Sequence, residues 1–283
     1  MKAAGSERPR RVSLEVDRLV DGRPVQLSLL RSGMGRRVLL LHGFASDAHD
    51  DWVATGWFDA LALAGYEVVA PDLRGHGLST KSRNPSDYQL GAFATDILAA
   101  SEACWGEASF DVIGYSMGAH IAMTLALAAP DQIGRLVLGG MGERIVATVG
   151  LAPEFADALA AWDKATQRLE GRNLPPYAIR LCQHAASKPY NDLDVLAACL
   201  RGQSCVFDLP RLAAVAAPTL VIVGEEDKLA GSPYRVAALF PTGVAATVPD
   251  LNHSAALASA AFRSRAILHL SAAAISRRLA GLA

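Results

Sequence analysis

Asp111-Val112-Ile113-Gly114-Tyr115-Ser116-Met117-Gly118-Ala119-His120 joins two apolar segments of different character. The run from Phe110 to Ile113 reads as a short buried strand, and the small and apolar residues from Ala119 to Ala129 read as a buried helix. Between them Gly114-Tyr115-Ser116-Met117-Gly118 fits G-x-S-x-G, the pattern of a nucleophile elbow. A serine on so tight a turn is held in a strained backbone conformation while neighbouring chain passes close by. Gly114 and Gly118 have no Cβ to collide there. The turn points the Ser116 hydroxyl outwards and leaves the first helical N–H groups unpaired, ready for a developing negative charge. A pattern this loose also describes an ordinary strand–helix turn that contains a serine, so the rest of the chain has to decide.

Outward from the elbow, strands and helices alternate. Val38 to Leu41 is a continuous aliphatic run, as expected for a strand buried on both faces of a parallel sheet, and it ends at His42-Gly43-Phe44. Trp52 to Ala64 suits a helix, Tyr66 to Ala70 a strand, Leu90 to Cys104 a helix and Ile133 to Leu138 a strand. Before them, Val12 to Val16 and Pro24 to Leu30 read as a hairpin around Asp21-Gly22-Arg23, with residues 1–10 a frayed tail. The rhythm breaks between Gly142 and about Ser204, where Glu154 to Leu169 and Asp192 to Leu200 have helical spacing and no buried strand stands out. Roughly sixty residues is too long for one connection in a compact domain, so 142–204 is expected to be a helical cap inserted into a core of 1–141 and 205–283. The sheet resumes at Thr219 to Val223. Tyr234 to Leu239 then reads as a helix, Val244 to Val248 as a strand and Ala255 to Leu282 as a helix. This order predicts an α/β fold with a mostly parallel, doubly wound sheet and its active groups at the carboxyl ends of strands.

Composition sets the bounds. Hydrophobic residues make up 51% of 283, ample for a single core. A net charge of −1 gives no reason to expect nucleic acid or an acidic membrane as partner. The basic cluster Lys2, Arg8, Arg10 and Arg11 has no apolar run behind it, so a secretory signal is not expected. No stretch reaches the ~18 apolar residues of a membrane span. Cys104, Cys182, Cys199 and Cys205 form no C-x-x-C motif, which fits reduced thiols and a cytoplasmic location. Asp47, His49, Asp50 and Asp51 could suggest metal ligands. Their loose spacing suits a polar loop before a helix better, and no metal or cofactor is expected.

A serine nucleophile needs a base and something to orient it. Asp227 lies just past the strand Thr219 to Val223, and His253 just past Val244 to Val248, giving the order Ser116, Asp227, His253. Taken with His42-Gly43-Phe44, Asp72-Leu73-Arg74-Gly75-His76-Gly77-Leu78-Ser79, Gly224 to Asp227 and Asn252-His253, the chain resembles the α/β-hydrolase superfamily over nearly its whole length. The resemblance implies an eight-stranded sheet and a triad of Ser116 as nucleophile, His253 as base and Asp227 as its orienter. Asp227 is chosen over Glu225, Glu226 and Asp250 because it occupies the family's G-x-x-D place. The backbone N–H groups of Phe44 and Met117 match the oxyanion donors. His42 is expected to brace the oxyanion loop and His76 to hold the Arg74–Gly77 turn.

In haloalkane dehalogenases and epoxide hydrolases of this superfamily the elbow residue is Asp; here it is Ser116, so acyl chemistry is expected. Charged residues in the insertion, among them Glu154, Asp157, Asp163 and Lys164, argue for a soluble substrate. The leading expectation is a carboxylic-ester hydrolase for small to medium esters, with Phe44, Met141, Trp162 and Leu181 as candidate pocket walls. Carbon–carbon bond hydrolases of ring-cleavage products, lactonases and perhydrolases share the triad, and some relatives are ligand receptors with slow turnover. Arg180 and Lys188 are the basic groups that a dienoate would call for.

Overall fold

The computed structural model describes residues 8–20, 22–146, 148–149, 153–162, 176–203, 205–206 and 208–280. The chain enters through an antiparallel hairpin, β1 (Arg10–Val20) and β2 (Arg23–Ser32). It then alternates through β3 (Arg36–Leu41), α1 (Trp57–Leu63), β4 (Tyr66–Pro71), α2 (Leu90–Trp105), β5 (Phe110–Tyr115), α3 (Met117–Ala128) and β6 (Ile133–Gly139). A helical excursion follows: α4 (Glu143–Val146), β7 (Thr148–Val149), α5 (Pro153–Ala160), α6 (Pro176–Ser187), α7 (Leu193–Gly202) and β8 (Cys205–Val206). The chain closes with β9 (Thr219–Gly224), α8 (Tyr234–Ala237), β10 (Gly243–Val248), α9 (His253–Ala258) and α10 (Ala260–Ala280).

Eight strands form one sheet in the order β1-β2-β4-β3-β5-β6-β9-β10. The β1–β2 and β2–β4 pairs are antiparallel and the others parallel, so the expected mostly parallel sheet flanked by helices is present. Side chains alternate across a strand, which explains why the central strands are apolar at every position. Leu39 and Leu41 pack with Phe93, Ile97, Ile121 and Leu125 on one face. Val38 and Leu40 pack with Trp57, Phe58 and Phe262 on the other. The helices of the excursion hold a separate cluster, Phe155, Leu159, Trp162, Cys182, Leu196 and Leu200, which reaches the main body at Phe44 and Ala45.

Several elements differ from the sequence reading. The helix expected over Trp52 to Ala64 is split: a wide π-type turn covers His49–Val53, and α1 starts only after Gly56, whose φ of 79° interrupts the helix. The long final helix is likewise two, because Ser259 adopts an extended conformation between α9 and α10. α6 was not anticipated. Pro176 at its first position is compatible with a helix start, and its exposed residues Gln183, His184 and Ser187 hid the apolar face formed by Ala178, Cys182 and Ala185. The two-residue strands β7 and β8 were also missed; each is too short to leave a pattern, yet they pair antiparallel across the excursion. Helical spacing over Glu154 to Leu169 appears as α5, and residues 163–175 lie outside the described residues. Cys104, Cys182 and Cys199 are free thiols. Among the described residues no helix is long and apolar enough to cross a membrane.

Candidate active site

The elbow is built by close approach of backbone. Ser116 sits between β5 and α3 with φ 53° and ψ −112°, a conformation L-residues rarely adopt. Its N–H donates to the Gly139 carbonyl at 2.8 Å, and its carbonyl accepts from the Ala119 N–H at 2.9 Å. A Cβ on Gly114 would lie 2.3 Å from the Gly118 carbonyl oxygen, and one on Gly118 would lie 2.0 Å from that of Leu41. Both glycines are therefore demanded by packing of chain on chain, as the pattern implied. Met117 opens α3, so its N–H has no carbonyl one turn behind it in the helix.

A second group assembles where β9 and β10 end. Asp227 is buried, and its Oδ1 accepts from the Leu229 and Ala230 N–H groups at 3.1 and 2.8 Å. Its Oδ2 faces Nδ1 of His253 at 2.7 Å. A carboxylate only accepts, so the imidazole proton lies on Nδ1 and Nε2 is left with its lone pair. Asn252 caps α9 through Ser254 and Ala255 and sets His253 at the first helical position. The imidazole packs against Tyr115 with ring centres 5.3 Å apart, and the Tyr115 hydroxyl donates to the His253 carbonyl. Gly140 makes the room: a Cβ there would stand 2.9 Å from His253 Cε1. Glu225, Glu226 and Asp250 are exposed, which leaves Asp227 as the carboxylate that meets the histidine.

The loop after β3 is held by side chains. His42 Nε2 accepts from the Leu73 N–H at 2.9 Å, which leaves Nδ1 to donate to the Gly43 carbonyl at 2.8 Å. His42 thus ties this loop to the 72–79 loop, the bracing role expected of it. Asp51 Oδ2 accepts from the Gly43 N–H at 2.8 Å, and its Oδ1 accepts from the Ser46 hydroxyl. A Cβ on Gly43 would be 3.7 Å from that of Ser116, so the loop runs directly beside the elbow. Among the described residues no acceptor lies on the Phe44 N–H.

Beneath these parts the 72–79 loop is a brace. Arg74 and Asp96, both buried, form a two-pronged ion pair at 2.8 and 2.6 Å. His76 is fully buried and packs edge-on against His42 and Phe44, with Nδ1 on the Arg74 carbonyl at 3.0 Å. Burial, aided by the neighbouring His42, pushes its pKa down to about 3. The other predicted wall residues are spread more widely. Phe44 is half-buried between the sheet core and the excursion, Met141 is buried in the sheet core, and Trp162 and Leu181 belong to the excursion's cluster.

Asp47, His49 and Asp50 place donor atoms within 4.8 Å of one another. However, Asp47 Oδ1 accepts from the Asp50 N–H at 2.7 Å, and the Asp50 carboxylate is taken by the Lys188 ammonium and the Tyr190 hydroxyl. Burial raises the Asp50 pKa, but these bonds, the charge of Lys188 and a bond from His49 together hold the carboxyl below its usual range. Asp51, Tyr115, Lys188, Tyr190 and Asn191 were not read as parts of this framework. Asp51 bonds within its own loop, to Gly43 and Ser46, while Tyr115, Lys188, Tyr190 and Asn191 reach partners more than a hundred positions away, and no local pattern marks any of them.

Comparison with known proteins adds the family. The alpha/beta hydrolase fold family matches residues 36–255. Epoxide hydrolase B of Mycobacterium tuberculosis is 37% identical over 106 residues, 36% of this chain and 28% of that protein. A 2-hydroxy-6-oxononadienedioate/2-hydroxy-6-oxononatrienedioate hydrolase of Burkholderia vietnamiensis is 34% identical over 134 residues, 43% of this chain and 42% of its own. The chain thus spans less than half the length of either relative. A bromoperoxidase from Bacillus anthracis superposes with a TM-score of 0.74 at 19% identity, covering 93% of this chain and 100% of that one, a likeness of fold.

Proposed function

Because the chain belongs to the alpha/beta hydrolase fold family, we propose that it is a serine hydrolase cleaving carboxylic esters of small to medium soluble substrates. The observation that carries this reading is the Asp227–His253 pair at 2.7 Å beside a strained serine elbow. His253 Nε2 takes the proton from Ser116 Oγ as the hydroxyl attacks the ester carbonyl. The imidazolium that forms stays bonded through Nδ1 to Asp227, whose Oδ1 is already held by two backbone N–H groups. The Phe44 and Met117 N–H groups receive the negative charge on the tetrahedral oxygen, which the ground-state carbonyl lacks. His253 returns its proton to the leaving alcohol, and water repeats the sequence on the acyl-enzyme. On this reading residues 142–204 form a cap over the site, with Phe44 at the junction of cap and core.

Ser116 supplies an alkoxide rather than a carboxylate, which argues against epoxide opening through an alkyl ester. Carbon–carbon bond hydrolysis is the second reading, favoured by the name of the Burkholderia vietnamiensis relative. It is weakened because Lys188 is engaged by Asp50, leaving exposed Arg180 as the other candidate for a dienoate. Ser116→Ala should lower turnover of short p-nitrophenyl esters by about 1,000-fold or more, and a fluorophosphonate should modify Ser116. Retained ester turnover in the variant would overturn the reading, and a panel of esters, lactones and dienoates ranks the alternatives.

A further inference from the structure

The turn between α6 and α7 reaches across to the loop that carries Phe44. Asn191 is buried, and its amide Nδ2 donates both to the Ala45 carbonyl and to the Ala185 carbonyl of α6, each at 3.1 Å. Ala45 is held at φ 60°, a left-handed conformation that costs a non-glycine residue about 1 kcal/mol or more. Something must stabilise it, and the Asn191 bond falls on its own carbonyl. Two residues of the same turn add a second grip, Lys188 and Tyr190 on Asp50.

These contacts bracket one peptide. On its near side Gly43 is fixed by Asp51 at the N–H and by His42 at the carbonyl, which also accepts from the Ser46 N–H at 3.4 Å. The peptide joining Gly43 to Phe44 is trans, so the Phe44 N–H points opposite to that engaged carbonyl. On the far side Asn191 is the side chain that holds Ala45. Release of Ala45 from the left-handed region would free the Phe44–Ala45 peptide, remove the far-side anchor of Phe44, and let the Gly43–Phe44 peptide shift with its N–H. An oxyanion donor loses most of its value when displaced, because the bond must form at the oxygen's transition-state position.

We propose that Asn191 is a positioning residue for the oxyanion donor at Phe44, so that the α6–α7 turn sets the rate of acyl transfer from outside the sheet. This rests on the serine-hydrolase reading. The test is steady-state kinetics of Asn191→Ala on p-nitrophenyl acetate, with phenylboronic acid as a probe that forms a tetrahedral adduct. The expected result is a kcat about 10- to 100-fold lower, KM within about threefold, and boronate affinity reduced in step with kcat. Arg201→Ala, which breaks an exposed ion pair with Asp157 on α5, serves as the control and keeps wild-type kinetics. A kcat within twofold of wild type, or a loss confined to KM, overturns the proposal. If Asn191→Ala does not fold, Tyr190→Phe decides: a threefold or larger fall in kcat supports the clasp, and none overturns it. Fluorophosphonate labelling of Ser116 in the wild-type chain separates the two levels. Without labelling the hydrolase reading itself fails and takes this proposal with it; with labelling, a failed variant test removes only the role of Asn191.

Discussion

The two loops that meet at Ser116 are held in opposite ways. The elbow is pinned by backbone on backbone: Gly114 against Gly118, and Gly118 against Leu41, at distances that leave no room for a methyl group. The loop from His42 to Asp51 is pinned through side chains, those of His42 and Asp51 within it and of Asn191 beyond it, with His42 anchored in turn on the Leu73 backbone N–H beneath. A joint made of close packing tolerates no added volume but has few bonds to lose. A joint made of hydrogen bonds tolerates modest changes of shape but fails with the loss of a donor or a change of protonation.

That contrast can be broken most severely at Gly118. Gly118→Ala sets a methyl group against the Leu41 carbonyl oxygen, backbone that cannot step aside. The variant should lose more than about 3 kcal/mol of stability, at the upper end for an overpacked core, and should not react with a fluorophosphonate. Urea unfolding and labelling check both, and an active, stable Gly118→Ala protein would refute the packing account.

Acid should act on the other loop. The folded-state pKa of His76 is lowered to about 3 from an unfolded value of 6.5, so the unfolded chain binds more protons between those values. Stability from this group is fully present above pH 6.5 and is lost as pH falls towards 3, amounting to about 2 kcal/mol at pH 5. Because His76 packs under His42 and Phe44, this loop should loosen first. Hydrogen exchange at pH 7 and pH 5 checks the location, and His76→Gln should flatten the dependence of unfolding free energy on pH.

The smallest effect is expected at Asp51. Asp51→Ala frees the Gly43 N–H and the Ser46 hydroxyl while leaving His42 and Asn191 in place. A fall of about tenfold in kcat, or ~1.4 kcal/mol in the barrier, with little change in melting temperature would fit a loop held by several partial restraints. A loss as large as that of Ser116→Ala would mean that Asp51 bears the loop alone.

Legibility follows the same division. Gly114, Ser116 and Gly118 sit at fixed spacing because the turn that needs them is local, so the elbow and its flanking strand and helix could be read from ten residues. Asp227 and His253 were legible because each follows a strand whose aliphatic run marks its end. α6 was not, since its exposed polar residues break the apolar pattern, and the gap at Ser259 was not, since alanine-rich sequence reads as helix throughout.

By itself the sequence determined the sheet, the strand ends and the residue types placed at them, because hydrophobic periodicity and glycine spacing are short-range. Only the tertiary structure decided that Asp51 holds the Gly43 N–H, that Tyr115 holds the carbonyl of His253, and that Asn191 clasps Ala45 from 146 positions away. A hydrogen bond needs its two atoms about 3 Å apart, and no pattern along a chain records which distant atoms folding will bring so close.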